Sequence, residues 1–150
     1  MKIIATDWQT HGQELRAIRE QVFIQEQQVP IADEWDDKDE TAIHFLVQNA
    51  RGEAIACARL LLENQSLLHI GRVAVLKAHR HRGVGRQLMH ELVTYCKEHH
   101  VGCPIYLQAQ TQRQTFYEHL GFVARGSVFM DAGIPHIEMW YGHNAREDYE

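Results

Sequence analysis

The chain has 150 residues, 45% hydrophobic and 23% charged, which is enough apolar material for one globular domain with a buried core. A formal net charge of −5 and a pI near 6.1 exclude nucleic-acid binding through a general electrostatic footprint, so any anion site must be local. The opening "MKIIATDWQT" lacks the apolar segment of a signal peptide, and no apolar run approaches the length of a membrane span. Three scattered cysteines, Cys57, Cys96 and Cys103, form no disulfide framework. A single cytoplasmic domain over 1–150, with buried thiols and no membrane partner, is expected.

Residues 2–7 read as a short strand. Leu15, Ile18 and Val22 then recur at the spacing of one helical face and predict a helix over about 11–27. "VPIADEWDDKDE" follows, with a proline, no periodicity and six acids within 33–40, and reads as a solvated loop. A calcium loop is rejected there, because the glycine and terminal glutamate of an EF-hand are missing. "AIHFLVQN", "EAIACARLLLE" and "LLHIGRVAVL" are β-rich and separated by the turn-like "ARGE" and "NQS", the pattern of an antiparallel meander.

After Gly83, the residues Val84, Leu88, Leu92 and Cys96 stand four apart with polar residues on the other face, predicting an amphipathic helix of about four turns. "PIYLQAQ" reads as a buried strand and "QRQTFYEHL" as a short helix ended by Gly121. "FVARGSVFM" and "PHIEMWY" form a last strand pair, and the polar tail over about 142–150 is expected to fray. Strand, helix, strand over 68–109, flanked on both sides by antiparallel strands, predicts an α+β domain with a mixed sheet.

The chemistry concentrates in "HRHRGVGRQLM", between the apolar "RVAVL" and the long helix. A phosphate cradle needs a tight turn exposing backbone N–H groups, a helix N-terminus, and room for the ligand against the main chain. Gly83 and Gly85 supply the room, while Arg80, Arg82 and Arg86 add charge at the helix mouth. No Walker A sequence is present, and Leu88 stands where a dinucleotide fingerprint needs its third glycine. In "CKEHHVGC" the spacing of Cys96, His99, His100 and Cys103 matches no standard zinc motif, and the two histidines fit a helix C-terminus instead. No metal is expected.

R-x-x-G-x-G, as Arg80, Gly83 and Gly85, resembles the acyl-CoA pyrophosphate loop of the GNAT-type N-acyltransferase superfamily. "FYEHLGF" resembles a second motif of that superfamily, with Tyr117, Gly121 and Phe122 in place, in the right order and at the right distance. Gln110 stands where the superfamily often has asparagine. The segments "EQQVP", "DAGIPH" and "IEMW" resemble its ElaA-type subgroup. The resemblance covers about residues 40–141.

It implies a mostly antiparallel, twisted sheet of about seven strands with flanking helices, in which the fourth strand splays from the fifth. Acetyl-CoA is the implied co-substrate, and the implied reaction is direct acetyl transfer to a primary amine in a ternary complex. The pantetheine arm would run along Val73, Ala74 and Val75, and the pyrophosphate would sit at Arg80, His81, Arg82, Gly83, Val84, Gly85 and Arg86, with Gln110 and Tyr117 as further cofactor contacts. Attack on a thioester expels a thiolate, and a tyrosine of reference pKa roughly 10 can protonate it, which makes Tyr117 the candidate general acid.

The attacking amine must be neutral, so a base or a desolvating site is required. Glu26, Glu34, His44 and His136 are the nominees, Glu34 and His44 foremost. In this superfamily the region after the first helix borders the acceptor, so the acidic run is also a candidate to attract a cationic amine. Cys57 and Cys96 fall on core faces and invite no nucleophilic role. Relatives are frequently dimers, and a homodimer is compatible with the chain. A non-catalytic acyl-CoA-binding or sensing module on the same fold is the alternative function.

Overall fold

The computed structural model describes residues 1–142; positions 143–150, nearly all of the polar tail, lie outside the described residues. Among the described residues seven strands are formed: β1 (Lys2–Thr6), β2 (Ile43–Gln48), β3 (Ala54–Glu63), β4 (Leu67–Val75), β5 (Ile105–Gln110), β6 (Phe122–Asp131) and β7 (Ile134–Tyr141). They build one sheet of order β1-β2-β3-β4-β5-β7-β6, in which only the β4–β5 pair is parallel. The helices are α1 (Trp8–Arg19), α2 (Ile31–Glu34), α3 (Val84–His99) and α4 (Gln114–His119). The mixed α+β architecture is the one the strand and helix patterns predict. None of these helices is long and apolar enough to cross a membrane.

Period-2 alternation sends side chains to two layers. Leu60, Leu68, Ile70, Ile105, Leu107 and Met139 face α3, whose stripe of Val84, Leu88, Leu92 and Cys96 closes the larger core. Leu46, Cys57 and Ala74 face the other way and meet Leu15, Ile18, Val22 and Phe23 of the first helical segment. Cys57 and Cys96 are buried, while Cys103 is half-buried, short of the burial expected for it. Burial pushes the Cys57 and Cys96 thiols up to about 12, which keeps both protonated and unreactive.

The first helix begins earlier than expected, because Asp7 caps it by accepting from the Thr10 N–H at 2.8 Å. It continues from Glu20 to Glu26 as π-helix, a register change that hydrophobic spacing does not reveal.

The acidic stretch is the largest departure from the expected solvated loop. It contains α2, and it folds inward around three arginines contributed by three distant elements. Arg19 of α1 donates to Glu34 at 2.7 Å and to Asp39 at 2.6 Å. Arg59 of β3 holds both oxygens of Asp36, at 2.8 and 2.9 Å, and reaches Asp39 at 3.2 Å. Arg72 of β4 donates to Glu34 at 3.0 Å and Asp36 at 3.2 Å. Three of the segment's six carboxylates thus meet three guanidiniums, so half of the acids are neutralised where they fold inward.

Candidate active site

The cleft arises from a local failure of strand pairing. β4 and β5 stay together through Leu68, His69 and Ile70, the last opposite Leu107, and then part. On its other edge β4 runs four residues, Gly71 to Ala74, against three of β3, Cys57 to Arg59, so a bulge bends it away from β5. Arg72 sits in this bulge with φ +52°, held by its bonds to Glu34 and Asp36. The backbone edges exposed beyond Ile70 are unpaired across the gap, the arrangement that accepts an extended ligand as an added strand. The resulting cleft of about 380 Å³ runs from the β4–α3 loop, through the gap, to the opposite face of the sheet.

At its outer end, Gly83 adopts φ +81° and caps α3 without any side-chain bond. The first helical bond runs from the Gln87 N–H to the Gly83 carbonyl, so the N–H groups of Val84, Gly85 and Arg86 have no partner within the helix. An open helix N-terminus with a positive dipole end suits a diphosphate. Nothing lies within 4 Å of a Cβ built on Gly83, so backbone conformation selects that glycine. Gly85 is more closely surrounded: a Cβ there would reach ordinary van der Waals contact with Phe116 at 3.4 Å and Val75 at 3.6 Å, so a side chain larger than a methyl would press on both.

Of the residues named from sequence, Val73, Ala74, Val75, Arg80, His81, Gly83, Val84, Gly85, Arg86, Gln110 and Tyr117 line the cleft, as do Glu34 and His136. Arg82, Glu26 and His44 do not. His44 needs correction as a candidate base: it is buried beside Trp8, with Nε2 2.9 Å from the Asp39 carbonyl, and lies outside the cleft lining. Glu34 reaches the cleft wall, yet its Oε2 receives both Arg19 and Arg72, so the guanidiniums occupy that oxygen. Arg80 is not free charge either, because Glu26 and the Val75 carbonyl occupy its guanidinium. The Gln110 amide donates to Gln27 at 2.8 Å, tying β5 to the end of the first helical segment.

Tyr117 of α4 is buried against Phe116 and Phe122, and burial pushes its phenol up to about 12. It therefore keeps its proton throughout the neutral range. His136 turns Nδ1 to the Ile134 carbonyl at 2.7 Å and stacks on Phe129.

Sequence reasoning missed His69, Gly71, Arg72, Gln108 and Phe116. Strand register carries His69, Gly71 and Gln108: Gly71 stands opposite Arg59, His69 opposite Leu61 and Tyr106, and Gln108 lies two residues on from Tyr106, so these residues share one face at the point where the strands separate, while Arg72 joins them from the bulge. A pattern of alternation alone reads them as ordinary strand positions.

A parted β4–β5 pair opening onto an uncapped glycine loop defines an acyl-CoA N-acyltransferase fold. A family model described as an acetyltransferase (GNAT) domain matches residues 9–141, and the chain belongs to that family, within its ElaA-like subgroup. Protein ElaA of Escherichia coli is 38% identical over 128 residues, covering 83% of each chain. Its crystal structure superposes with a TM-score of 0.85 at 33% identity, over 94% of this chain and 99% of that one. An acyl-CoA N-acyltransferase from Pseudomonas aeruginosa gives a TM-score of 0.84 at 29% identity, over 95% and 100%. An aminoglycoside 6'-N-acetyltransferase crystallised with coenzyme A shares the fold at 15% identity, with a TM-score of 0.73 over 93% and 96%.

Proposed function

We propose that this acetyltransferase carries an acetyl group from acetyl-CoA directly to a primary amine in a ternary complex, with no acyl-enzyme intermediate. One observation carries the reading: the helix N-terminus at Gly83, the unpaired edges of β4 and β5, and Tyr117 border one continuous cleft. The diphosphate rests on the N–H groups of Val84, Gly85 and Arg86, and the pantetheine arm follows β4 along Val73 and Val75. That a fold neighbour was crystallised with coenzyme A supports this placement.

Each residue then has a chemical duty. The β4 backbone polarises the thioester carbonyl through an N–H group, and Tyr117 protonates the departing thiolate. Cys57 and Cys96 stay protonated in the core, so a covalent relay through either is disfavoured. We place the enzyme in the cytoplasm as a single catalytic domain, free thiols being at home there.

The test is thiol release from acetyl-CoA across a panel of amines, with wild type and Tyr117→Phe. Amine-dependent release that collapses in the variant is the expected result. Tight CoA binding without turnover on any amine would instead indicate a binding or sensing module.

A further inference from the structure

We propose that His69 is the catalytic residue that takes the proton from the acceptor amine, with Glu63 as the residue that positions it. The inference rests on the acetyl-transfer reading above and adds the base which that reading leaves open.

The location follows from the sheet. A pantetheine arm entering between β4 and β5 from the Gly83 end stops where the strands rejoin, at Ile70 and Leu107. The reacting carbonyl therefore lies beside that vertex. His69 is the residue before Ile70, half-buried and on the cleft wall, on the sheet face opposite α3. Gly71 follows on the same face, and a Cβ there would meet nothing within 4 Å, so the floor beside His69 is open. An amine approaching from this face meets the thioester across that space.

The ring is prepared to accept. His69 Nδ1 lies 3.1 Å from Glu63 Oε2, and the Tyr106 hydroxyl donates to Glu63 Oε1 at 2.5 Å. A carboxylate can only accept, so Nδ1 bears the hydrogen and Nε2 keeps its lone pair. Stacking on Tyr106, 4.4 Å between centroids and 14° between planes, fixes the ring. Burial pushes the His69 pKa down while Glu63 pulls it back up, and the balance leaves the imidazole neutral at pH 7. The charged or titratable groups around it are Glu63 and Arg59 of β3, Tyr106 of β5 and Lys38 of the acidic segment. Glu34 is held by two arginines, and His136 stands opposite Gln110, further out along β5 than the vertex.

The protons balance as follows. The ammonium gives one proton to His69 Nε2, which passes it to solvent. The neutral nitrogen attacks the thioester carbon, forming C–N, and the C–S pair leaves on sulfur. Tyr117 protonates the sulfur and regains a proton from the nitrogen through water. The products are the amide, CoA thiol and one released proton.

The experiment measures kcat/KM for thiol release between pH 5.5 and 9.5 with spermidine, n-butylamine, a tetrapeptide bearing a free amino terminus, and hydroxylamine. Hydroxylamine is already neutral at pH 7 and needs no base. His69→Gln should lose about 100-fold or more with the turned-over alkylamine or peptide at pH 7, recover toward high pH, and lose less than about 5-fold with hydroxylamine. Glu63→Gln should give an intermediate loss, and ¹⁵N spectra should show the Nδ1–H tautomer of His69 in wild type and its loss in Glu63→Gln.

An unchanged pH profile in His69→Gln, or the same effect in His136→Gln instead, overturns the assignment while leaving acetyl transfer intact. Should His69→Gln not fold, an Nε2–H tautomer in the wild-type spectra overturns it. Wild type inactive on all four probes, though CoA binds, removes the transfer reading and this one with it.

Discussion

Both terminal nitrogens of Arg80 grip the Glu26 carboxylate, at 2.6 and 2.7 Å, while Nε donates to the Val75 carbonyl at 2.9 Å. One side chain thus ties the glycine loop to the end of β4 and to the first helical segment. Glu26 is held below its usual carboxylate range, chiefly by the Arg80 hydrogen bonds. The arginine acts as a clamp that sets the loop before any ligand arrives. Arg80→Ala should weaken CoA about tenfold by calorimetry, and Glu26→Gln should weaken it by a smaller factor. Tighter binding in Glu26→Gln would show that Glu26 competes with phosphate for the guanidinium.

The two loop glycines should fail differently. Gly83→Ala meets open space but is strained at φ +81°, so it should lower stability by about 1 kcal/mol with a small effect on CoA. Gly85→Val pushes on Phe116 and Val75 in the cleft wall and should raise the CoA dissociation constant by about 100-fold or more, with far-ultraviolet circular dichroism unchanged. Equal CoA affinity in wild type and Gly85→Val would refute the cradle.

These contrasts show what a linear pattern can carry. Period-2 and helical spacing located all seven strands and α3, because burial on one face repeats locally in the sequence. The glycine loop was legible for a similar reason, its parts being consecutive. The acidic segment was not, since its partners Arg19, Arg59 and Arg72 come from α1, β3 and β4 and only the folded chain gathers them. His69 was hidden too: Glu63 is six positions away across a hairpin, and only the register brings the two together.

The gathered ions imply a definite pH response. Asp36 lies well below the usual carboxylate range and Asp39 is also lowered, because Arg59 and Arg19 outweigh the burial that opposes their charge. A folded-state pKa below the unfolded value near 3.9 gives stabilisation that is complete well above pH 4 and lost as pH falls through the lower folded values. Urea midpoints should hold between pH 7 and 5 on this account and fall steeply below about 4. Arg19→Leu, which leaves Glu34 and Asp39 short of a buried partner, should lose about 3–5 kcal/mol at pH 7 and less at pH 3. A deficit independent of pH would mean that packing, not charge, accounts for Arg19.

Tyr117 offers the sharpest separation of chemistry from structure. Its ring packs edge-on against Phe116 and Phe122, at 5.0 and 6.0 Å between centroids, so Tyr117→Phe keeps the packing and removes only the hydroxyl. The melting temperature should stay within about 2 °C of wild type. The turnover number should fall by about 10²–10³-fold with KM for acetyl-CoA little changed, as expected when a proton donor to the leaving group is lost. Because burial holds the phenol near 12, the wild-type rate should show no alkaline decline from this group below about pH 10. A decline near pH 8 that disappears in Tyr117→Phe would place the working pKa far lower and would require the bound acetyl-CoA to reverse the effect of burial.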